Sequence, residues 1–336
     1  MHWLRKTWLC VAFCAATITL FGGAAGAAES AFPTRPIRLI VASSPGGPND
    51  LLARIVSAPW GEALGRTIVV DNRAGAAGMI ATEIAARAVP DGYTLLVGFP
   101  GPLIIGPGMS ASPPYDASKD FTPISLMASG PFVLLANPGV PAKTMRELVA
   151  LAKSQPGKLN YGSGGAGQSS HMAMELFKLV AGIDMVHVPY KGAGPGMTAL
   201  IAGEVSVMFA SIGSAIAHIN SGKLRAMAVG GARRAVALPK RRAVALPNVA
   251  TIKESGFAFD AASWYGIVAP RNLPQPIVSR LHSTLTATLN APAMQSRLTD
   301  LGFEVNASTP AQFAEHLRSE TAVWNKVIAA TGMRQR

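Results

Sequence analysis

Cysteine is nearly absent from this 336-residue chain, which contains only Cys10 and Cys14, both within an apolar N-terminal segment. If that segment is removed during export, the remaining chain can form neither a disulfide nor a thiolate metal site. No later apolar run reaches the roughly 20 residues that a transmembrane helix requires. These absences favour an exported, soluble protein whose stability comes from burial alone.

Sequence motifs for catalysis are also lacking. No G-x-S-x-G sequence occurs, so a nucleophilic serine in its usual strand-turn-helix setting is not indicated. The histidines beyond residue 28 show none of the spacings of a zinc site. We therefore predict no catalytic residue, no metal site and no cofactor.

Acidic residues are scarce: 18 Asp and Glu oppose 30 Lys and Arg, which gives a formal net charge of +12. A basic excess favours anionic partners. Basic residues cluster in the duplicated RRAVALP segment at 233–248, but that segment has no aromatic residue for base stacking. We interpret it as a tandem duplication in an exposed loop and expect no nucleic-acid partner.

The N-terminus has the three parts of an export signal. Arg5 and Lys6 precede an apolar run over residues 8–21, and small residues with an A-x-A-like cleavage site follow. The sequence therefore predicts a signal peptide over residues 1–28 and a periplasmic location.

From Ile37 onward, short apolar runs alternate with helical patterns, which is the order of βαβ units in an α/β protein with mostly parallel sheets. The alternation occurs in two sets and ends in helices with few strands left to cover. We therefore predict two lobes, with lobe 1 formed by 31–128 plus 268–336 and lobe 2 by 129–267. In the first helix, Asn49 or Asp50 is the expected cap, and Pro59 is expected to kink or end the helix early.

Each lobe has a Gly/Ser-rich loop after a predicted strand, SSPGGPND at 43–50 and YGSGGAGQSSH at 161–171. Such a loop exposes backbone N–H groups at the positive end of the helix dipole, where a carboxylate or phosphate can bind without a charged side chain. A turn that serves only close packing is the simpler interpretation.

The second loop also contains Gly162-x-Gly164-x-x-Gly167, the spacing of a dinucleotide-binding turn. The next strand ends in Tyr190 and Lys191, where that motif requires an acid for the ribose hydroxyls. An exported NADP-dependent oxidoreductase, with Lys191 meeting the extra phosphate, remains the competing hypothesis.

Several longer stretches together resemble one protein family. FPTRPIRLIVASSPGGPNDLLAR, VVDNRAGAAGMIATEIAARAVPDGYTLLVG, QPGKLNYGSGGAGQSSHMAMELFK and MVHVPYKGAGPGMTALIAGEV are similar to the periplasmic substrate-binding proteins of tripartite tricarboxylate transporters, the Bug family. The resemblance runs from about Phe32 to the C-terminus. It implies a two-lobed, type II-like Venus-flytrap fold that binds a small organic carboxylate as a monomer, without catalysis. It also implies integral-membrane transporter subunits as partners, or a signalling protein that senses the bound form.

The resemblance further implies a set of ligand-binding residues. They are Ser44, Gly46, Gly47, Asn49, Asp50, Phe99, Gly101, Ser163, Gly164, Gly165, Ser169, Tyr190 and Lys191. The loop FPGP at 99–102 departs from the Ser/Gly/Thr-rich pattern of relatives, and this departure predicts a more apolar cavity. Ser206 and Ala210 stand where relatives often carry Asp, which predicts a less negative cleft.

Overall fold

The computed structural model describes residues 32–230, 246, 249–259 and 262–333. The predicted signal peptide and most of the duplicated RRAVALP segment lie outside the described residues, so both interpretations stay predictions.

The strands are β1 (Ile37–Val41), β2 (Ile68–Asn72), β3 (Thr94–Gly98), β4 (Phe121–Ala136), β5 (Asn160–Ser163), β6 (Val186–Pro189), β7 (Val207–Ser211), β8 (Arg225–Val229), β9 (Ala262–Pro270) and β10 (Glu304–Val305). The helices are α1 (Pro48–Leu64), α2 (Met79–Ala86), α3 (Gly106–Met109), α4 (Met145–Ser154), α5 (Ser169–Ala181), α6 (Ala193–Ala202), α7 (Ile212–Asn220), α8 (Gln275–Asn290), α9 (Pro292–Asp300) and α10 (Pro310–Thr331). A short 3-10 helix (Ala76–Gly78) precedes α2, and a π-helix (Gly101–Ile105) precedes α3.

One mixed sheet joins these strands in the order β2-β1-β3-β9-β4-β7-β5-β6, with β8 and β10 also paired to β4. β1 is parallel to β2 and β3 at one end, and β5 is parallel to β6 and β7 at the other. The long central strand β4 is antiparallel to all its partners. The predicted α/β class is confirmed, with two parallel groups of strands joined by antiparallel pairing. The residue limits that we predict for the two lobes stay a prediction.

The second group of strands is covered by helices on both faces, because side chains of β4 alternate in direction along the strand. Leu134 and Ala136 enter an apolar cluster with residues of α4 and α5. Val133 and Leu135 enter a separate cluster with residues of α6 and α7. A strand buried on both faces reads as a continuous apolar run, which accounts for the sequence FVLLA.

Helix α1 differs from the prediction in its cap and in its length. Its N-cap is Gly47, and no side chain caps the helix, because the carboxylate of Asp50 accepts from the Gly46 amide (3.0 Å) and from Arg54 Nε (2.9 Å). The helix does not end at Pro59 but continues to Leu64. Trp60 is fully buried and donates to Thr284 Oγ1 of α8 (3.0 Å), so packing outweighs the lost backbone hydrogen bond.

The sequence pattern of a capping box occurs at Thr144 with Glu147 and at Thr309 with Gln312. The reciprocal pair of bonds forms at the second, whereas the Glu147 carboxylate accepts from the Lys143 amide (2.7 Å). Thr144 accepts from the Glu147 amide at the start of α4, and Thr309 and Gln312 bond reciprocally at the start of α10. Helix α10 then packs against β4 and the π-helix. Among the residues that the structure describes, no helix combines the length and apolarity needed to cross a bilayer.

The packing of α10 depends on Gly266 in β9. A Cβ there would overlap the ring of Phe313 and would lie 2.9 Å from the Ser125 carbonyl oxygen. We expect Gly266→Ala to lower the free energy of unfolding by about 2 kcal/mol, because an overpacked core must shift its backbone. Urea unfolding measures this loss.

Phe313→Leu provides the control. It removes the ring atoms that a Cβ would meet, so the double variant should lose less stability than the sum of the two single variants. Additive losses would show that the contact with Phe313 is not the cause.

Candidate functional site

A small cavity of about 40 Å³, partly open to solvent, lies where β4 exchanges one neighbour for another. Pro131 of β4 is the last residue paired with β9, and Phe132 is the first paired with β7. The lining residues are Ser43, Gly47, Pro48, Asn49, Phe99, Phe132, Gln168, Ser169, Ser170, Ala193, Phe209, Ala210, Ser211, Ser263 and Tyr265. Ligands of open α/β sheets bind at such a switch point, outside the carboxyl ends of the strands.

Several helices begin at this cavity. Gly47 and Pro48 open α1, Ser169 opens α5, Ala193 opens α6, and Ser211 caps α7. The first amides of a helix have no partner within the helix and carry a partial positive charge. None of the described lining residues has a charged side chain. The electrostatic character of the cavity therefore comes from backbone dipoles, which favour an anion.

Ser169 has the one polar side chain of this lining that is buried without a partner in the described structure. Its residue is 6% exposed, and its hydroxyl has no hydrogen-bond partner. The N-cap of α5, Gln168, makes no side-chain capping bond either. A buried hydroxyl without a partner is costly unless a ligand or water completes it. The start of α5 is therefore prepared for a hydrogen-bonding group inside the cavity.

The predicted first-lobe residues divide into two groups. Gly47 and Asn49 line the cavity, and Asn49 Nδ2 is 3.4 Å from Ser43 Oγ. Gly46 and Asp50 instead bond to each other behind the loop. Burial would raise the pKa of Asp50, but hydrogen bonds from Arg54 and the Gly46 amide hold it below its usual value. Asp50 thus shapes the loop and places no charge in the cavity lining.

Ser44 connects this loop to the opposite side of the cleft. Its hydroxyl donates to the carbonyl oxygen of Lys191 (2.6 Å), and a Cβ at Gly192 would collide with that hydroxyl. Gly192 has φ +120°, a conformation that glycine adopts without strain. The loop at 43–50 therefore touches the segment that follows β6, and Tyr190 and Lys191 lie beside the cavity instead of in its lining.

The predicted residues Ser163, Gly164 and Gly165 form the layer behind α5. The amide of Gly164 donates to Ser170 Oγ (3.1 Å), and the amide of Gly165 donates to Ser163 Oγ (3.1 Å). Gly162 belongs to strand β5, not to a turn, and Gly164 would meet Gly192 and Ala193 if it carried a Cβ. The glycine turn is covered by a neighbouring loop, an arrangement that differs from the open turn of a dinucleotide site.

Phe99 lines the cavity and is 3% exposed, in agreement with the apolar character predicted for FPGP. Gly101 follows it at the start of the π-helix. A Cβ at Gly101 would lie 3.3 Å from Gln168 Cα, so a glycine here lets this loop approach the start of α5. Gly101 acts through this close approach and is not in the lining.

Several lining residues were not predicted from the sequence, namely Ser43, Gln168, Ser170, Ser211, Ser263, Phe132, Phe209 and Tyr265. Gln168 and Ser170 flank Ser169 in the same loop, so the loop itself was the available signal. The aromatic residues belong to buried strands, and no local pattern separates a ring at the cavity from a ring in the core.

A cluster of stacked rings contacts the loop at 161–171. His187 stacks between Tyr161 (4.8 Å) and His171 (4.1 Å), measured between ring centroids. His187 Nε2 is 2.7 Å from Ser163 Oγ, and His171 Nδ1 accepts from the Gly167 amide (3.2 Å). Each histidine therefore fixes one end of the glycine turn.

Burial keeps the imidazoles of this cluster neutral. Burial, together with the neighbouring His171, lowers the pKa of His187 to about 4, and burial also lowers the pKa of His171. Glu175 accepts from the Tyr161 hydroxyl and from Lys178 Nζ (2.9 Å). Burial would raise the pKa of Glu175, but these two hydrogen bonds hold it below its usual value. Within the described part of the chain, no group of His, Cys, Asp or Glu side chains is arranged to hold a metal ion.

The sheet order and a cavity lined by helix N-termini from both strand groups are features of the periplasmic binding proteins, a class of solute receptors. Comparison with known proteins identifies the family: the model of the tripartite tricarboxylate transporter family receptor matches residues 52–333. The chain belongs to this family.

Three solved structures are similar over most of both chains. The periplasmic binding protein BugD is 30% identical with a TM-score of 0.85, and the match covers 91% of this chain and 100% of BugD. Rpa4515 of R. palustris, solved with adipate, is 32% identical with a TM-score of 0.85 over 90% of this chain and 98% of its own. MatC of Rhodopseudomonas palustris, solved with bound malate, is 32% identical with a TM-score of 0.82 over 88% and 100%.

The histidine cluster predicts a pH dependence of stability. An imidazole in the unfolded chain titrates near 6.5, whereas the pKa of folded His187 is about 4. Between these values the unfolded chain binds more protons, so stability falls as the pH falls through this window. We expect a loss of roughly 1–2 kcal/mol between pH 6.5 and pH 4 from this cluster, after allowance for solvent screening. Urea unfolding at several pH values measures it.

His187→Gln should flatten this part of the pH profile, whereas His218→Gln, outside the cluster, should leave it unchanged. An unaltered profile in His187→Gln would rule out His187 as the source of the loss.

Proposed function

We propose that this protein captures a small organic carboxylate in the cavity between its two loops and delivers it to the membrane subunits of a tripartite tricarboxylate-type transporter. The unpartnered hydroxyl of Ser169, buried in the lining at the start of α5, is the observation that carries the proposal. A carboxylate oxygen placed there accepts from this hydroxyl and from the first amides of the helix.

Binding rests on backbone dipoles in place of cationic side chains. α1 and α5 each begin at the cavity without a side-chain capping bond. Their amides can bond to the ligand, and enclosure in a low-dielectric cavity strengthens each charge-assisted hydrogen bond. An anion thus replaces the missing caps of both helices at once.

The ligands of similar structures support the choice of anion. Rpa4515 and MatC were solved with adipate and malate, which are both carboxylates. The family description connects the chain to a tripartite transporter, whose membrane subunits are the partners that we propose. Contact between Ser44 and Lys191 supports a mechanism in which the loop at 43–50 and the segment after β6 close over the ligand and bury it.

Ser169→Ala tests the proposed hydrogen bond directly. It removes a hydroxyl that has no partner in the protein, so folding stability should stay within about 0.5 kcal/mol. Affinity for the best carboxylate should fall about tenfold or more, because a hydrogen bond to a charged group contributes roughly 1.5–3 kcal/mol. Isothermal titration of ligand-stripped protein against carboxylates, NAD and NADP provides the measurement.

Ser154→Ala is the matched control, because it makes the same substitution at an exposed residue that ends α4 and does not line the cavity. Its affinity should equal that of the unaltered protein. Binding of NADP with no response to any carboxylate would refute the proposal in favour of the oxidoreductase hypothesis.

Gly47 allows a graded test of the cavity. A Cβ at this position would have no neighbour closer than 3.8 Å, so Gly47→Ala should fold and bind with at most a small loss. The branched side chain in Gly47→Val extends into the cavity, and we expect affinity for the ligand to fall at least about a hundredfold. The side chain takes up cavity volume and also displaces the loop and the ligand. Equal affinity of both variants would show that Gly47 does not face the ligand.

A further inference from the structure

No residue of the described cavity lining carries a carboxylate that could pair with a positively charged group. Its described lining consists of Ser, Asn, Gln, Gly, Pro, Ala and aromatic residues. The acid nearest in sequence to this lining, Asp50, is engaged by the Gly46 amide and by Arg54. An ammonium group buried here would lose its hydration without gaining a carboxylate. This argues against an α-amino acid as the ligand.

One hydroxyl of the described lining is buried and has no hydrogen-bond partner. The hydroxyl of Ser211 is bonded within the start of α7, where it accepts from the Ser214 amide (3.3 Å). Ser170 Oγ accepts from the Gly164 amide. The hydroxyl of Ser169 alone is buried and without a partner in this lining. A single carboxylate at the start of α5 completes this hydroxyl.

Four aromatic side chains make part of the cavity lining apolar. Phe99, Phe132, Phe209 and Tyr265 line the cavity, and each is at most 4% exposed. Phe132 and Phe209 meet edge to face with centroids 6.1 Å apart, which fixes both rings. Ala210 also lines the cavity, where its side chain lies on the other face of β7 and adds only a methyl group. Such a wall stabilises an apolar ligand body and penalises hydroxyl or charged groups placed against it.

We infer that the ligand is a monocarboxylate with an uncharged, apolar body, such as an aryl or alkyl carboxylic acid. This inference rests on the proposed carboxylate capture and narrows its substrate class. The carboxylate lies at the starts of α5 and α1, and the body lies against Phe99, Phe132 and Phe209.

Matched pairs of ligands test the inference by isothermal titration. 3-Phenylpropanoate should bind at least about tenfold more tightly than phenylalanine, which adds an ammonium group, and hexanoate at least about tenfold more tightly than adipate, which adds a carboxylate. Phenethyl alcohol, which lacks the carboxylate, should not bind detectably. Equal or tighter binding of phenylalanine, malate or adipate overturns the inference but leaves carboxylate capture intact. Failure of every carboxylate overturns both.

Ala210→Asp adds a negative charge to the cavity lining, and Ala210→Asn is the uncharged control of similar shape. The Asp variant should lose at least about tenfold in 3-phenylpropanoate affinity relative to the Asn variant and should shift the preference towards phenylalanine. If the Asp variant does not fold, as judged by circular dichroism, the ligand pairs above still decide the question. The same ligand preference in both folded variants would show that the ligand body does not lie against Ala210.

Discussion

The exchange of partners along β4 is the constraint on which the cleft depends. β4 pairs with β9 as far as Pro131 and with β7 from Phe132 onward, so a single strand belongs to both strand groups. The neighbours diverge at this point, and the space between them is the cavity. Because backbone hydrogen bonds hold each half of β4, the two walls of the cavity are placed by the sheet itself, and only the loops above them can adjust.

In the binding that we propose, backbone amides take the place of cationic side chains. Residues of the second strand group must then hold those amides in position. A helix N-terminus attracts an anion only if the turn before it keeps its amides pointed at the ligand. In α5 that turn is held from behind by Ser163, His171 and His187. Neutral imidazoles suit this task, because His171 Nδ1 must keep a free lone pair to accept from the Gly167 amide. Their lowered pKa values follow from the same burial that makes them rigid supports.

The sequence permitted prediction of the α/β class, the two loops and the helix caps at Thr144 and Thr309, because each depends on short-range patterns. Within the loops, Gly47, Asn49 and Ser169 do line the cavity. Asp50 does not, because its side chain has a nearer partner in the Gly46 amide. Phe132 and Tyr265 could not be found this way. Both lie in buried apolar runs, and only the partner exchange of β4 determines which of those side chains face the cleft.

Attraction and selection are carried by different parts of the molecule. The net charge of +12 raises the local concentration of anions of every kind, since long-range fields do not distinguish one carboxylate from another. The lining carries no side-chain charge among its described residues, so it adds no further general attraction. In the function that we propose, the lining discriminates between ligands through the unpartnered hydroxyl of Ser169 and through its aromatic rings. A second polar group on the ligand must be desolvated against those rings without compensation. In the function that we propose, affinity for the carboxylate follows from the helix starts, whereas selectivity for the ligand body follows from the uncharged, apolar part of the lining.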